Sequence, residues 1–135
     1  MNIRFVASFA PIARDVDATR ALYRDAIGIT FEGEGGDYVY TERLDGVKHL
    51  GLWPLADAAE ACFGTSEWPA GVMTPQASIE FEVDDVPAAA AELEAAGYTL
   101  LHGTRTEPWG QTIARLLDPN GLIVGVCVTP GLNAG

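Results

Sequence analysis

The sequence predicts an α+β fold of two βαβββ units. Eight mainly antiparallel strands form a cleft, and the helices lie outside. Three observations lead there. Strand-like and helix-like patterns run through the chain in the same order twice. Ser8 and Asp15 recur as Ser78 and Asp85, seventy residues on in both cases, and an internal repeat outranks local patterns in setting a fold. Each half also carries a hairpin signal, Asp45-Gly46 in the first and Asp118-Pro119-Asn120-Gly121 in the second. Pro suits the second position of such a turn, and Asn or Gly accepts positive φ.

The first unit is expected over 1–55. Arg4 to Ala13 reads as a strand through Phe5, Val6, Phe9 and Ile12. Asp15 or Asp17 caps a helix running to about Ala26, and Gly28 fits the residue past its end. Glu32 to Gly36 is an acidic, glycine-rich turn. Asp37 to Glu42 alternates as a strand, with Tyr38 and Tyr40 on one face, and Val47 to Leu55 is its partner.

A linker over 56–75 is expected next, with a possible short helix from Ala58 to Phe63. The second unit spans 76–129. In Gln76 to Val83, Ile79, Phe81 and Val83 take one face and Ser78, Glu80 and Glu82 the other. Asp84 or Asp85 caps the second helix, Pro87 sits in its first turn, and Gly97 ends it. Tyr98 to His102, Gln111 to Leu117 and Leu122 to Val128 are the remaining strands, and 130–135 is a tail.

Composition limits the function classes. In a chain of 135 residues, 48% hydrophobic content supplies a core, and no stretch reads as a membrane span. The first residues lack the apolar region of a signal peptide, so the cytosol is the expected compartment. A net charge of −11 argues against nucleic acid and favours a cationic ligand. Cys62 and Cys127 have no metal-ligand spacing and read as packed thiols.

Two stretches carry a family resemblance. One runs from Asp15 through Leu22-Tyr23-Arg24-Asp25-Ala26-Ile27-Gly28, and the other joins Pro108-Trp109-Gly110 to Asp118-Pro119-Asn120-Gly121. The first looks like the helix ending of the vicinal oxygen chelate superfamily, which includes glyoxalases, extradiol dioxygenases and bleomycin-resistance proteins. The second resembles a run familiar in the bleomycin-resistance branch. The resemblance implies a divalent metal held by the first and last strands of each unit. Carried over by position, those sites are Ser8, Ser78, Gly51 and Gly125. None offers imidazole or carboxylate, so no metal and no other cofactor is expected.

Alternation then assigns the cleft lining. Ser78, Glu80 and Glu82 share a face, His49 and Trp53 share that of Gly51, Trp109 stands at the mouth, and Arg115 points between the glutamates. With Tyr40 these are the expected ligand-binding residues, none of them catalytic. The glycines are expected to leave open volume. Aromatics and carboxylates around such a space suit a planar or cationic compound. The expected function is therefore a metal-free protein, not an enzyme, that sequesters a small aromatic or cationic natural product as antibiotic-resistance proteins of that branch do. It is expected to be a homodimer. The alternative is a glyoxalase-like lyase or dioxygenase of the same superfamily with a divergent or absent metal site. A related version makes His49 and Glu80 or Glu82 acid and base.

Overall fold

The computed structural model describes residues 1–132; the end of the expected tail lies outside them. Strand β1 (Ile3–Ala13) leads into α1 (Val16–Arg20), which continues as π-helical turns over Ala21–Ala26. Then come β2 (Val39–Thr41), β3 (Leu50–Pro54), α2 (Leu55–Phe63), β4 (Ala77–Val83), α3 (Val86–Ala95), β5 (His102–Thr106), β6 (Thr112–Leu117) and β7 (Leu122–Val128).

The strands form one mixed sheet in the order β2-β3-β1-β4-β7-β6-β5. At its centre β1 and β4, the first strands of the two units, run antiparallel, with Ser8 opposite Glu80 and Ala10 opposite Ser78. Each pairs in parallel with the last strand of its own unit, β1 with β3 and β4 with β7. The repeat is thus realised as two like halves joined edge to edge. Their helices start alike: Ala18 N donates to Asp15 Oδ1 and Ala88 N to Asp85 Oδ1, both at 3.0 Å. Each cap satisfies one otherwise orphaned N–H, worth about 1 kcal/mol.

One face of the sheet is covered by helices. Val86, Ala89 and Ala90 of α3 pack with Ala114 and Val126, while Tyr23 packs near Phe31, Val39 and Leu52. Full burial of a side chain such as Leu52 contributes about 1.5–3 kcal/mol. The opposite face is left for the cleft. Helix α2 lies across one end of it, with Ala58 and Cys62 against Ile123 and with Trp53 and Trp68 nearby.

Several expected elements shift. The eighth strand is present only as a single bridge between Glu32 and Tyr40. Strand β5, the second strand of the second unit, begins at His102 rather than at Tyr98, because Tyr98 N still closes the helix end on Leu93 O at 3.1 Å. The first half of the expected linker is a complete helix. Its alanines bury one face, and Gly64 ends it with a φ of 79° and its N–H on Glu60 O. The Asp118 turn stands as expected: Asp118 Oδ1 accepts from Asn120 N and Leu122 N at 2.8 and 2.9 Å. Among the described residues, no helix is long and apolar enough to cross a membrane.

Candidate functional site

The open face of the sheet forms a cleft of about 910 Å³, the size of a small-molecule site. Ser8 and Ser78 lie on its floor, from the two central strands. Tyr38, Tyr40, Glu42, His49 and Trp53 line the side belonging to the first unit. Glu80, Gln111, Arg105, Glu107, Trp109 and Arg115 line the other side.

The first unit's side holds a continuous relay. His49 Nδ1 is 2.8 Å from Glu42 Oε2, and His49 Nε2 is 2.6 Å from the Tyr38 hydroxyl. A carboxylate only accepts, so Nδ1 carries the hydrogen. Nε2 then has the lone pair, and the Tyr38 O–H donates to it. The Tyr40 ring stacks on His49 at 5.1 Å and 10°, which fixes the imidazole plane. Burial, and secondarily the charges of Glu80 and Glu42, push the Tyr38 hydroxyl well above its usual range. Tyr38 therefore rests as a neutral donor to His49. Geometrically, this is a proton path from the cleft to a carboxylate.

Gly51 makes the relay possible. A Cβ there would overlap the Tyr38 hydroxyl and come within 2.6 Å of Cζ. Gly125 is filled in the same way, by Ile113 Cδ1 and the stem of Glu80 at 2.8 and 3.2 Å from an ideal Cβ. The expectation of open volume at the two glycines is thus corrected: neighbouring side chains occupy that space. The same observation bears on a metal. Ser8 and Ser78 supply hydroxyls, Gly51 and Gly125 supply nothing, and both nitrogens of His49 are engaged. Among the described residues, no three His, Cys, Asp or Glu side chains stand together as a metal would need. The donor set does not fit the family's ion.

A second chain of hydrogen bonds holds the opposite side. Trp109 Nε1 donates to Gln111 Oε1 at 3.0 Å. Gln111 Nε2 donates to Glu80 Oε1 at 2.9 Å and to Thr129 Oγ1 at 3.1 Å. Trp109 itself is 59% exposed, at the mouth. Toward α2, Arg115 is buried with its guanidinium 5.7 Å over the Trp53 ring. Its Nη1 donates to His102 Nε2 at 3.1 Å, and Glu107 Oε1 lies 3.7 Å away. Burial, and secondarily Arg105 and Arg115, hold His102 below its ordinary range, so it is a neutral acceptor.

Of the residues expected to line the cleft, Tyr40, His49, Trp53, Ser78, Glu80, Trp109 and Arg115 do so. Glu82 does not: it is fully buried, accepts from Thr129 N at 2.8 Å and lies near the Cys127 thiol. Arg115 stands by Glu107 and His102, not between Glu80 and Glu82. The sequence reading missed Tyr38 and Glu42 as site residues. A usable signal existed, since positions 38, 40 and 42 share one strand face with His49 across the turn.

The sequence model of the Glyoxalase-like domain family matches residues 6–129. A bleomycin resistance protein from Klebsiella pneumoniae is 29% identical over 119 residues, 83% of this chain and 82% of that protein. A glyoxalase/bleomycin resistance protein/dioxygenase superfamily member from Vibrio splendidus 12B01 superposes with a TM-score of 0.57 at 16% identity, over 93% of this chain and 98% of that one. A variant of Streptomyces coelicolor methylmalonyl-CoA epimerase does so with a TM-score of 0.56 at 20% identity, over 96% and 97%. At these identities the solved structures establish the fold. Those named by an activity are enzymes, epimerases and a dehydrogenase. These names run against the expectation of a protein that is not an enzyme and only sequesters a natural product.

Proposed function

This chain belongs to the glyoxalase-like domain family, and from that premise we propose that it is an enzyme moving a proton on a small organic molecule held in the cleft. The observation that carries this is the Tyr38–His49–Glu42 relay. A proton on a carbon next to a carbonyl passes to the Tyr38 oxygen while the phenol's own proton passes to His49 Nε2. The electron pair of the C–H bond stays on the substrate and delocalises onto its carbonyl oxygen. Glu42 stabilises the imidazolium. The hydroxyls of Ser8 and Ser78, on the cleft floor, are donors for the developing oxyanion. Returning the proton to a different atom of the enolate completes an isomerisation, protonating the same carbon on its opposite face completes an epimerisation, and expelling a leaving group instead gives a lyase. The epimerase name among the structural relatives is of that reaction class.

Assembly and location are part of the same reading. Ile3, Val6 and Phe9 are 48, 41 and 38% exposed along β1, and such a stripe supports a homodimer. Two buried free thiols suit a reducing compartment, the cytosol. The function is tested by NMR, following deuterium uptake from heavy water into a panel of small carbonyl compounds. Uptake above the uncatalysed rate for at least one compound is expected; no uptake in any compound overturns the reading.

A further inference from the structure

The relay leaves unused the end of the cleft near α2, where two guanidiniums meet one buried carboxylate. Glu107 Oε1 is 2.5 Å from Arg105 Nε but 3.7 Å from Arg115 Nη1, so its charge is committed to Arg105. Arg115 is 1% exposed, and its Nη2 has no hydrogen-bond partner. Its Nη1 is occupied by His102 Nε2, with Ala61 O at 3.5 Å. His102 adds no negative charge, because its Nδ1–H donates to Gly103 O at 2.7 Å and its Nε2 is a neutral acceptor. A buried, charged donor without a partner is costly, and the one carboxylate balances only one of the two guanidinium charges, Arg105 being held in addition through its Nη2 on Ala61 O.

The other charges around the cleft do not cancel this excess. Asp57 and Glu60 are exposed on the rim, where water screens them. Glu80 accepts from Gln111 Nε2, which holds its carboxylate beside Trp109 and Thr129 rather than against either guanidinium. Arg105, with 38% of its side chain exposed in the cleft wall, is the guanidinium that a ligand meets first. Arg115 lies behind it, stacked over Trp53.

We infer that Arg105 and Arg115 form a carboxylate-binding subsite, and that the substrates are small organic carboxylates with a carbonyl-activated C–H at the relay end. The inference rests on the cleft's being the active site and adds the substrate class. A planar carboxylate matches the guanidinium fork better than a point anion does. Tyr38 covers Gly51, and Trp53, whose ring Arg115 faces, is two residues further along β3. Relay and guanidiniums line the same cleft, so an anion anchored at one end presents its reactive carbon toward Tyr38. A positive subsite also explains how an anion is held by a chain of net charge −11: the local field at a buried pair outweighs a screened distant one.

Calorimetric titration tests this, with pyruvate, its neutral analogue pyruvamide, and inorganic phosphate as probes. Pyruvate is expected to bind at least about tenfold more tightly than pyruvamide, less tightly as salt is added, and more tightly than phosphate. Arg105→Gln, at a partly exposed position, is expected to fold normally by circular dichroism and to lose the preference for the anion. Arg115→Met provides a second variant with the same expectation. Equal binding of pyruvate and pyruvamide, no pyruvate binding, tighter phosphate binding, or a preference that survives in folded Arg105→Gln would each overturn the subsite. Binding is read without turnover, so a failure here leaves Tyr38-dependent proton transfer standing.

Discussion

The Tyr38 hydroxyl lies over Gly51, in the space that any side chain at position 51 would fill. A phenol therefore stands at the position to which the family resemblance assigned a metal ligand, and its oxygen is 2.6 Å from His49 Nε2. Gly51→Ala is expected to push Tyr38 off the relay. Overpacking of this kind costs about 1–3 kcal/mol. Denaturant melts should show that loss together with reduced activity; wild-type stability and activity would mean that Tyr38 is not confined by position 51.

His102 predicts an acid-side effect. Its depressed folded-state pKa, due first to burial and then to Arg105 and Arg115, stabilises the fold above the unfolded-state value near 6.5. That contribution is lost as pH falls, because protonation places a third cation beside two others. His102→Gln keeps an acceptor for Arg115 but cannot titrate. Between about pH 7.5 and about pH 5.5, wild type is expected to lose more stability than His102→Gln. The carboxylates titrate alike in both proteins, so parallel losses would refute the neutral-acceptor role.

Much of the fold was legible because its signals are local. Alternation in β4, the cap at Asp85 and the Asp118 turn each lie within a few residues, and the repeat identifies the central strand pair. Cleft residues on those strands, such as Ser78, Glu80 and Trp53, followed from the period of two. What escaped depends on how strands meet. Tyr38 reaches His49 only because of the loop over 42–49, and nothing local shows that Tyr38 fills the space above Gly51. Glu82 has the alternation of a cleft residue, yet β7 and Thr129 N enclose it. Helix α2 was obscured by an alanine-rich composition and by the Gly- and Pro-rich segment after it.

The thiols give a chemical check on the core. Burial pushes the Cys62 thiol up to about 11 and the Cys127 thiol higher still. A disulfide reagent at about pH 8 is expected to react slowly with native protein and to find two thiols after unfolding. Rapid native reaction would show that α2 does not close over Cys62 as described.

Because the donor set does not fit a divalent ion, prolonged treatment with a chelator is expected to leave both melting temperature and catalysed proton exchange unchanged. A loss restored by zinc, nickel or manganese would show that Ser8, Ser78 or the relay residues bind metal after all.

The central claim is that Tyr38 takes the proton and His49 accepts the phenol's own. The direct measurement is the NMR rate of deuterium uptake, next to the carbonyl of small 2-oxo carboxylates, by wild type and Tyr38→Phe at equal concentration. Phe keeps the ring over Gly51 and removes only the hydroxyl, so the fold is preserved. Wild type is expected to catalyse uptake, and Tyr38→Phe to be slower by about 100-fold or more, the usual contribution of a positioned acid or base. Equal rates in the two proteins, or no uptake by wild type, would contradict the account.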